Sequence, residues 1–136
     1  MMGAVHVKVK LTNAIDEALV NRGLLAPGLL REYETQGLVD TGAVSLVIPA
    51  VMVLGLRIRG QRVAQYANGS EEAVGVTEPI IIECEGRTTV DEALVVGNEV
   101  LIGQVILEQL DLLVDCKNQP LIPNPANPDY PVAMIK

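Results

Sequence analysis

The chain is a succession of short apolar runs, each closed by a turn signal, and its bulk is Val, Leu and Ile with no Phe and no Trp. Side chains branched at Cβ fit a pleated, half-buried surface better than a helix, so such runs read as strands. Val5, Val7, Val9 and Leu11 alternate with His6, Lys8 and Lys10, a period of two that marks a strand with His6 on its polar face. Tyr33 to Val39, Val44 to Ile48, Leu56 to Tyr66, Val74 to Glu85 and Thr88 to Val96 read as further strands. Asn68-Gly69, Gly86-Arg87 and Gly97-Asn98 turn between them. Asn68 and Gly69 both tolerate positive φ, which suits a tight hairpin.

Helical signals are few. Pro49 fits the first position of a short helix through Leu54, closed by Gly55, and Val105 to Leu110 forms one more. Thr12 to Leu30, rich in Asn, Gly and Pro, reads as a loop with one helical turn near Asp16 to Val20. Leu112 to Cys116 and Gln119 to Ile122 read as a closing hairpin. Pro123, Pro125 and Pro128 then make a stiff linker into a last strand, Pro131 to Ile135. The expectation is an all-β chain: a small closed or nearly closed barrel with one short helix in the C-terminal half. Its length of 136 residues suits one domain, residues 1 to 136.

The inventory narrows the chemistry. A net charge of −7 without a basic patch argues against nucleic acid. One histidine, His6, and two distant cysteines, Cys84 and Cys116, make poor material for a zinc site or a Ser-His-Asp triad. No metal or cofactor is expected, and the two cysteines are expected as unpaired buried thiols. Met1 to Lys10 alternates apolar and charged residues, unlike a signal peptide, and no apolar run reaches membrane-spanning length. A soluble cytoplasmic location is the expectation.

Asp40-Thr41-Gly42-Ala43 follows two apolar residues, Leu38 and Val39, and precedes an apolar strand. An aspartate at the tip of a tight loop has backbone N–H groups within reach of its carboxylate. Glycine lets the main chain approach, and a threonine hydroxyl can bond a neighbouring main chain. A weak internal echo follows at Leu101-Ile102-Gly103, again apolar-apolar-Gly before a short helix. As a tripeptide alone, Asp-Thr-Gly is equally compatible with an ordinary turn.

In its motif set, residues 38 to 122 resemble the retropepsin-like aspartic proteases, and more closely the bacterial single-domain members. Leu38 to Ala43 is similar to the catalytic loop, and Leu101 to Gly103 to the second signature that packs behind it. Gln61 to Val76, with Tyr66-Ala67-Asn68-Gly69-Ser70 at its tip, stands where the family carries its flap. Pro79 to Val96, with Ile80 to Arg87 within it, is similar to the hairpin after the flap, and Leu121 to Pro125 to the bacterial ending. The resemblance implies an aspartic endopeptidase with Asp40 as the catalytic residue, supported by Thr41, Gly42 and Ala43. It also implies a homodimer that brings two Asp40 side chains together, and a peptide or protein substrate. Tyr66, Ala67, Asn68 and Gly69 would contact that substrate from the flap, and Leu101 from a pocket. Ala43 stands where many acid-active relatives carry a hydroxyl, which implies activity nearer neutral pH. The acidic residue and arginine that pair in viral members are replaced by Val44 or Ser45 and by Gln104. A catalytically weak or inactive peptide-binding and dimerisation module is the alternative implication, and a structural β-domain whose Asp-Thr-Gly is only a turn is another.

Overall fold

A computed structural model describes residues 5–50, 54–114 and 121–135. Eleven strands and two helices are defined among them. Nine strands form one sheet: β1 (His6–Asn13), β2 (Glu32–Val39), β3 (Leu46–Ile48), β4 (Ile58–Gln65), β5 (Glu71–Thr77), β6 (Ile80–Cys84), β7 (Arg87–Asp91), β8 (Ala93–Val95) and β9 (Val100–Ile102). Their order is β4-β5-β8-β3-β9-β2-β1-β6-β7. β10 (Leu112–Val114) and β11 (Leu121–Pro123) form a separate antiparallel pair. The fold is therefore mainly β, as its β-branched composition dictates. No helix of the described residues is long and apolar enough to cross a membrane.

The core lies on one face of the sheet. Val7, Val9 and Leu11 of β1 alternate inward as expected, and His6 is exposed. Leu46, Ile48, Ile80, Ile82, Val100 and Ile102 join them. Helix α2 (Gln104–Leu110) closes this core with Ile106, Leu107 and Leu110. Cys84 is a free, buried thiol whose pKa burial pushes up to about 12, so it is no nucleophile at neutral pH. Cys116 lies outside the described residues.

Several sequence expectations need correction. The helical turn expected near Asp16 to Val20 is a longer helix, α1 (Ala14–Asn21). Asn13 starts it: its side-chain oxygen accepts the Asp16 N–H at 3.0 Å, while its amide group donates to Leu54 O at 3.0 Å. Val74 to Glu85 is not one strand. Pro79 has no N–H to continue a ladder, and the chain changes partner there, from β4 and β8 to β1. Thr88 to Val96 likewise breaks at Glu92, where the chain leaves β6 and joins β3 and β5. The turn before β7 is Glu85-Gly86, both at positive φ (52° and 73°), and Arg87 is already in the strand. The helix expected over Pro49 to Leu54 falls largely outside the described residues.

The C-terminal expectation also changes. Residues 124–127 turn back rather than extend, because Asp111 gathers them. Its carboxylate accepts from Asn124 Nδ2 at 2.9 Å, Asn127 Nδ2 at 2.6 Å and Val132 N–H at 3.1 Å, and these donors hold its pKa below the usual carboxylate range. Arg87, 7% exposed, donates to the carbonyls of Leu110, Asp111 and Asn127. Residues 131–135 pair with no strand among the described residues, so the expected last strand is not formed within one chain.

Asp16 ties α1 to the sheet. Arg31 reaches it through Nε at 2.8 Å, Nη2 at 3.0 Å and its backbone N–H at 3.2 Å. The Arg31 side-chain hydrogen bond holds the buried Asp16 carboxyl below its ordinary pKa. A depressed folded-state pKa stabilises the fold above the unfolded value of 3.8, and that contribution disappears as pH falls through the folded value. Asp16→Asn should therefore lower stability at pH 7 by about 1–3 kcal/mol. The loss should shrink below pH 3.8, as denaturant titrations at several pH values would show.

Candidate active site

β2 and β3 lie on either side of β9. β2 runs parallel to β9, with Leu38 opposite Leu101 and Val39 opposite Ile102, and Val47 of β3 faces Leu101 from the other side. The loop from Asp40 to Ser45 therefore bridges β2 to β3 across the end of β9. The Asp40 N–H donates to Ile102 O at 3.0 Å, extending the ladder by one residue. The chain then turns tightly: Ala43 N–H donates to Asp40 O at 3.0 Å. Inside this turn the Gly42 N–H donates to Asp40 Oδ1 at 2.9 Å, which orients the half-buried carboxylate.

The chain after β9 supports this loop from below. Gly103 is buried against it, and a Cβ there would overlap Ser45 O and come within 2.7 Å of Val44 C and 2.8 Å of Ala43 O. The first turn of α2 donates directly to the loop, Gln104 N–H to Ala43 O at 2.9 Å and Val105 N–H to Val44 O at 3.0 Å. The two sequence motifs thus form one unit: Asp40, Gly42 and Ala43 on the upper turn, Leu101 and Gly103 beneath. Thr41 is exposed, and among the described residues its hydroxyl makes no hydrogen bond.

The sheet has a second apolar face, opposite the core. Register places Leu38, Leu101, Val47, Leu94, Val76 and Val74 on it, one strand after another from β2 to β5. Val47, Val74 and Val76 are only 7%, 4% and 6% exposed yet stand outside the core cluster. Leu101 is half-buried on this face, not in the core. Sequence reasoning singled out Leu101 alone. An apolar strand residue reads the same whichever face it serves, so Val47, Leu94, Val74 and Val76 carried no signal of their own.

The hairpin β4–β5 continues from this face, and all of residues 65–73 are exposed. At its tip Tyr66 O accepts from Gly69 N–H at 2.9 Å, and Tyr66 N–H donates to Ser70 O at 2.9 Å. Only Gly69 has positive φ, 87°. Asn68 does not share it as expected; its side-chain oxygen instead accepts the Ser70 N–H at 2.9 Å. The loop is a three-residue turn ending in a left-handed glycine. Tyr66 donates its hydroxyl to Glu72 across the hairpin, which raises the phenol's pKa. No hydrogen bond among the described residues joins Tyr66, Ala67, Asn68 or Gly69 to the Asp40 loop.

Two arginines stand at the base of the hairpin, and the sequence reading did not select them. Arg59 pairs with Glu92, and Arg62 approaches the same carboxylate at 3.6 Å. Arg62 is opposite Val74 and so shares the second apolar face.

No family model matches the chain, and no curated protein matches it.

Proposed function

We propose that the chain is one half of a retropepsin-like aspartic endopeptidase, a small acid-protease barrel whose active site is completed by a second copy. The observation that carries this reading is the Asp40 loop, bridged across β9 and seated on Gly103, with its carboxylate turned by the Gly42 N–H. A plain turn between strands needs neither the buried glycine of a second motif beneath it nor two N–H groups from a following helix.

The chemistry needs two carboxyl groups, and one chain supplies one such loop. In a two-fold dimer the Asp40 side chains meet on the axis. One, as carboxylate, takes a proton from water, and the water oxygen attacks the peptide carbonyl carbon. The other, as carboxylic acid, protonates the carbonyl oxygen. Collapse of the tetrahedral intermediate breaks the C–N bond as a proton passes to the leaving nitrogen. An extended peptide would lie along the second apolar face under the β4–β5 hairpin, its main chain bonded as a strand would be. The exposed Thr41 hydroxyl is available to the partner's loop. A cytoplasmic setting belongs to the same proposal.

Incubation with a mixed peptide library tests the reading: cleavage at internal bonds is expected, and an intact library at micromolar enzyme would overturn it. Dimerisation has its own test. Tyr130, Val132, Met134 and Ile135 are exposed on a segment with no partner strand, at 68%, 38%, 88% and 88%. Pairing of such segments between two copies would cover them and protect their unpaired backbone. A dimer at micromolar concentration is expected by sedimentation. Deletion after Pro128 should raise its dissociation constant at least about tenfold, the effect of losing about 1.4 kcal/mol, and activity should fall with it. A fully active monomer would refute the shared site.

A further inference from the structure

We infer that Arg59 and Arg62 form a subsite for an acidic residue of the bound peptide, beyond the aliphatic part of the cleft. The inference rests on the endopeptidase reading for where the peptide lies, but not for whether the peptide is cut.

Glu92 is one carboxylate shared by two guanidinium groups, so the cluster retains one net positive charge. This is unusual on a chain of net charge −7. Arg62 is 58% exposed in its side chain and, among the described residues, makes no hydrogen bond, so its donors face solvent. A planar guanidinium with spare donors is suited to grip a carboxylate in two places. Placement supplies the second argument. Going from Asp40 across the sheet, Leu38, Leu101, Val47, Leu94 and Val76 follow one another on this face from β2 to β5, and on the next strand, β4, Arg62 stands opposite Val74. Arg59, at the register shift between Ile58 and Gly60, reaches the same carboxylate. The opposing charge on the hairpin is Glu72, one step closer to the tip and engaged by Tyr66; Glu32 and Glu34, far along β2 on the same face, are paired with Lys10 and Lys8. An acidic residue is thus welcome at the hairpin base and repelled at its tip. In a two-fold dimer the subsite occurs once on each chain, so an extended substrate meets one toward either end.

Binding can be read without cleavage by using Asp40→Asn with fluorescein-labelled dodecapeptides. Each carries a Val-Leu centre and a single Glu, Gln or Lys walked through the flanking positions. Glu at one or two distal positions should lower Kd about five- to tenfold relative to Gln, and Lys should raise it. The preference should disappear in Arg59→Gln/Arg62→Gln and fade at about 0.5 M salt, where the Debye length falls to a few ångströms. It should grow in Glu92→Gln, which releases both arginines. Equal Kd for Glu and Gln at every position, a preference that survives in the double variant, or no binding by any peptide would each overturn the subsite. If the parent protein binds with the Glu preference yet cuts nothing in the set, the endopeptidase reading fails and the subsite stands.

Discussion

Asparagine at position 40 is expected to abolish peptide cleavage, with kcat/KM falling at least about 10³-fold, while the fold is unchanged. General acid–base groups contribute about 10²–10⁴-fold each, and in the proposed dimer one substitution removes both members of the pair. The structural cost is small for a definite reason. Asparagine is nearly the same shape as aspartate, and its side-chain oxygen still accepts the Gly42 N–H that Oδ1 accepts at 2.9 Å. Asp40 is half-buried and joins no ion pair among the described residues, so no partner charge is left stranded. Circular dichroism, melting temperature and dimer mass should match the parent. Unchanged cleavage by this variant would remove Asp40 from the chemistry altogether.

A single methyl group at position 103 is expected to damage both stability and activity. Gly103 has φ of −82°, which alanine adopts freely, so the backbone conformation is not the obstacle. The obstacle is space. The new Cβ would overlap Ser45 O and lie 2.7 Å from Val44 C, and these are backbone atoms that cannot rotate away. Either α2 retreats and gives up the Gln104 and Val105 hydrogen bonds to the loop, or the loop moves and carries Asp40 with it. Overpacking of this kind costs about 1–3 kcal/mol, a fall in Tm of about 3–15 °C for a chain of this size. A displacement of about 1 Å at a reacting group can cost about 10²-fold in rate, so kcat should fall more than KM rises. Gly42→Ala is the milder control, since its Cβ would meet only Asp40 Oδ1, at 3.2 Å. Parental Tm and activity in Gly103→Ala would show that the loop does not rest on this residue.

The features legible in the sequence were those whose physics is local. The alternation of Val7, Val9 and Leu11 made β1 visible, because side chains two apart in a strand share a face whatever they pack against. Residues 104–110 carry a helical apolar pattern, and α2 lies within one residue of the expected span. The hairpin at Asn68-Gly69 was recognisable from Gly69, even though Asn68 turned out to cap Ser70 rather than share the left-handed conformation. A helical turn near Asp16 to Val20 was legible, and the full length of α1 follows from Asn13, which stands at capping spacing from Asp16.

By itself, then, the sequence determined the β character of the chain, most of its turns, and the pairing of an Asp-Thr-Gly loop with a second apolar-apolar-Gly motif. The strands, the turns and each of the two motifs depend on residues within a few positions of one another; that the motifs meet, about 60 residues apart, is a tertiary contact. Tertiary structure decided everything that depends on partners distant in the chain. It broke two long apolar runs at Pro79 and Glu92, where the chain exchanges one neighbour for another although the alternation continues. It put Arg87 into the interior to bond three carbonyls up to 40 residues away, an arrangement that no local pattern announces. It also assigned Val47, Leu94, Val74 and Val76 to a second face, away from the core. In sequence these valines and leucines are indistinguishable from core residues, because an apolar side chain does not encode which side of a sheet will be covered.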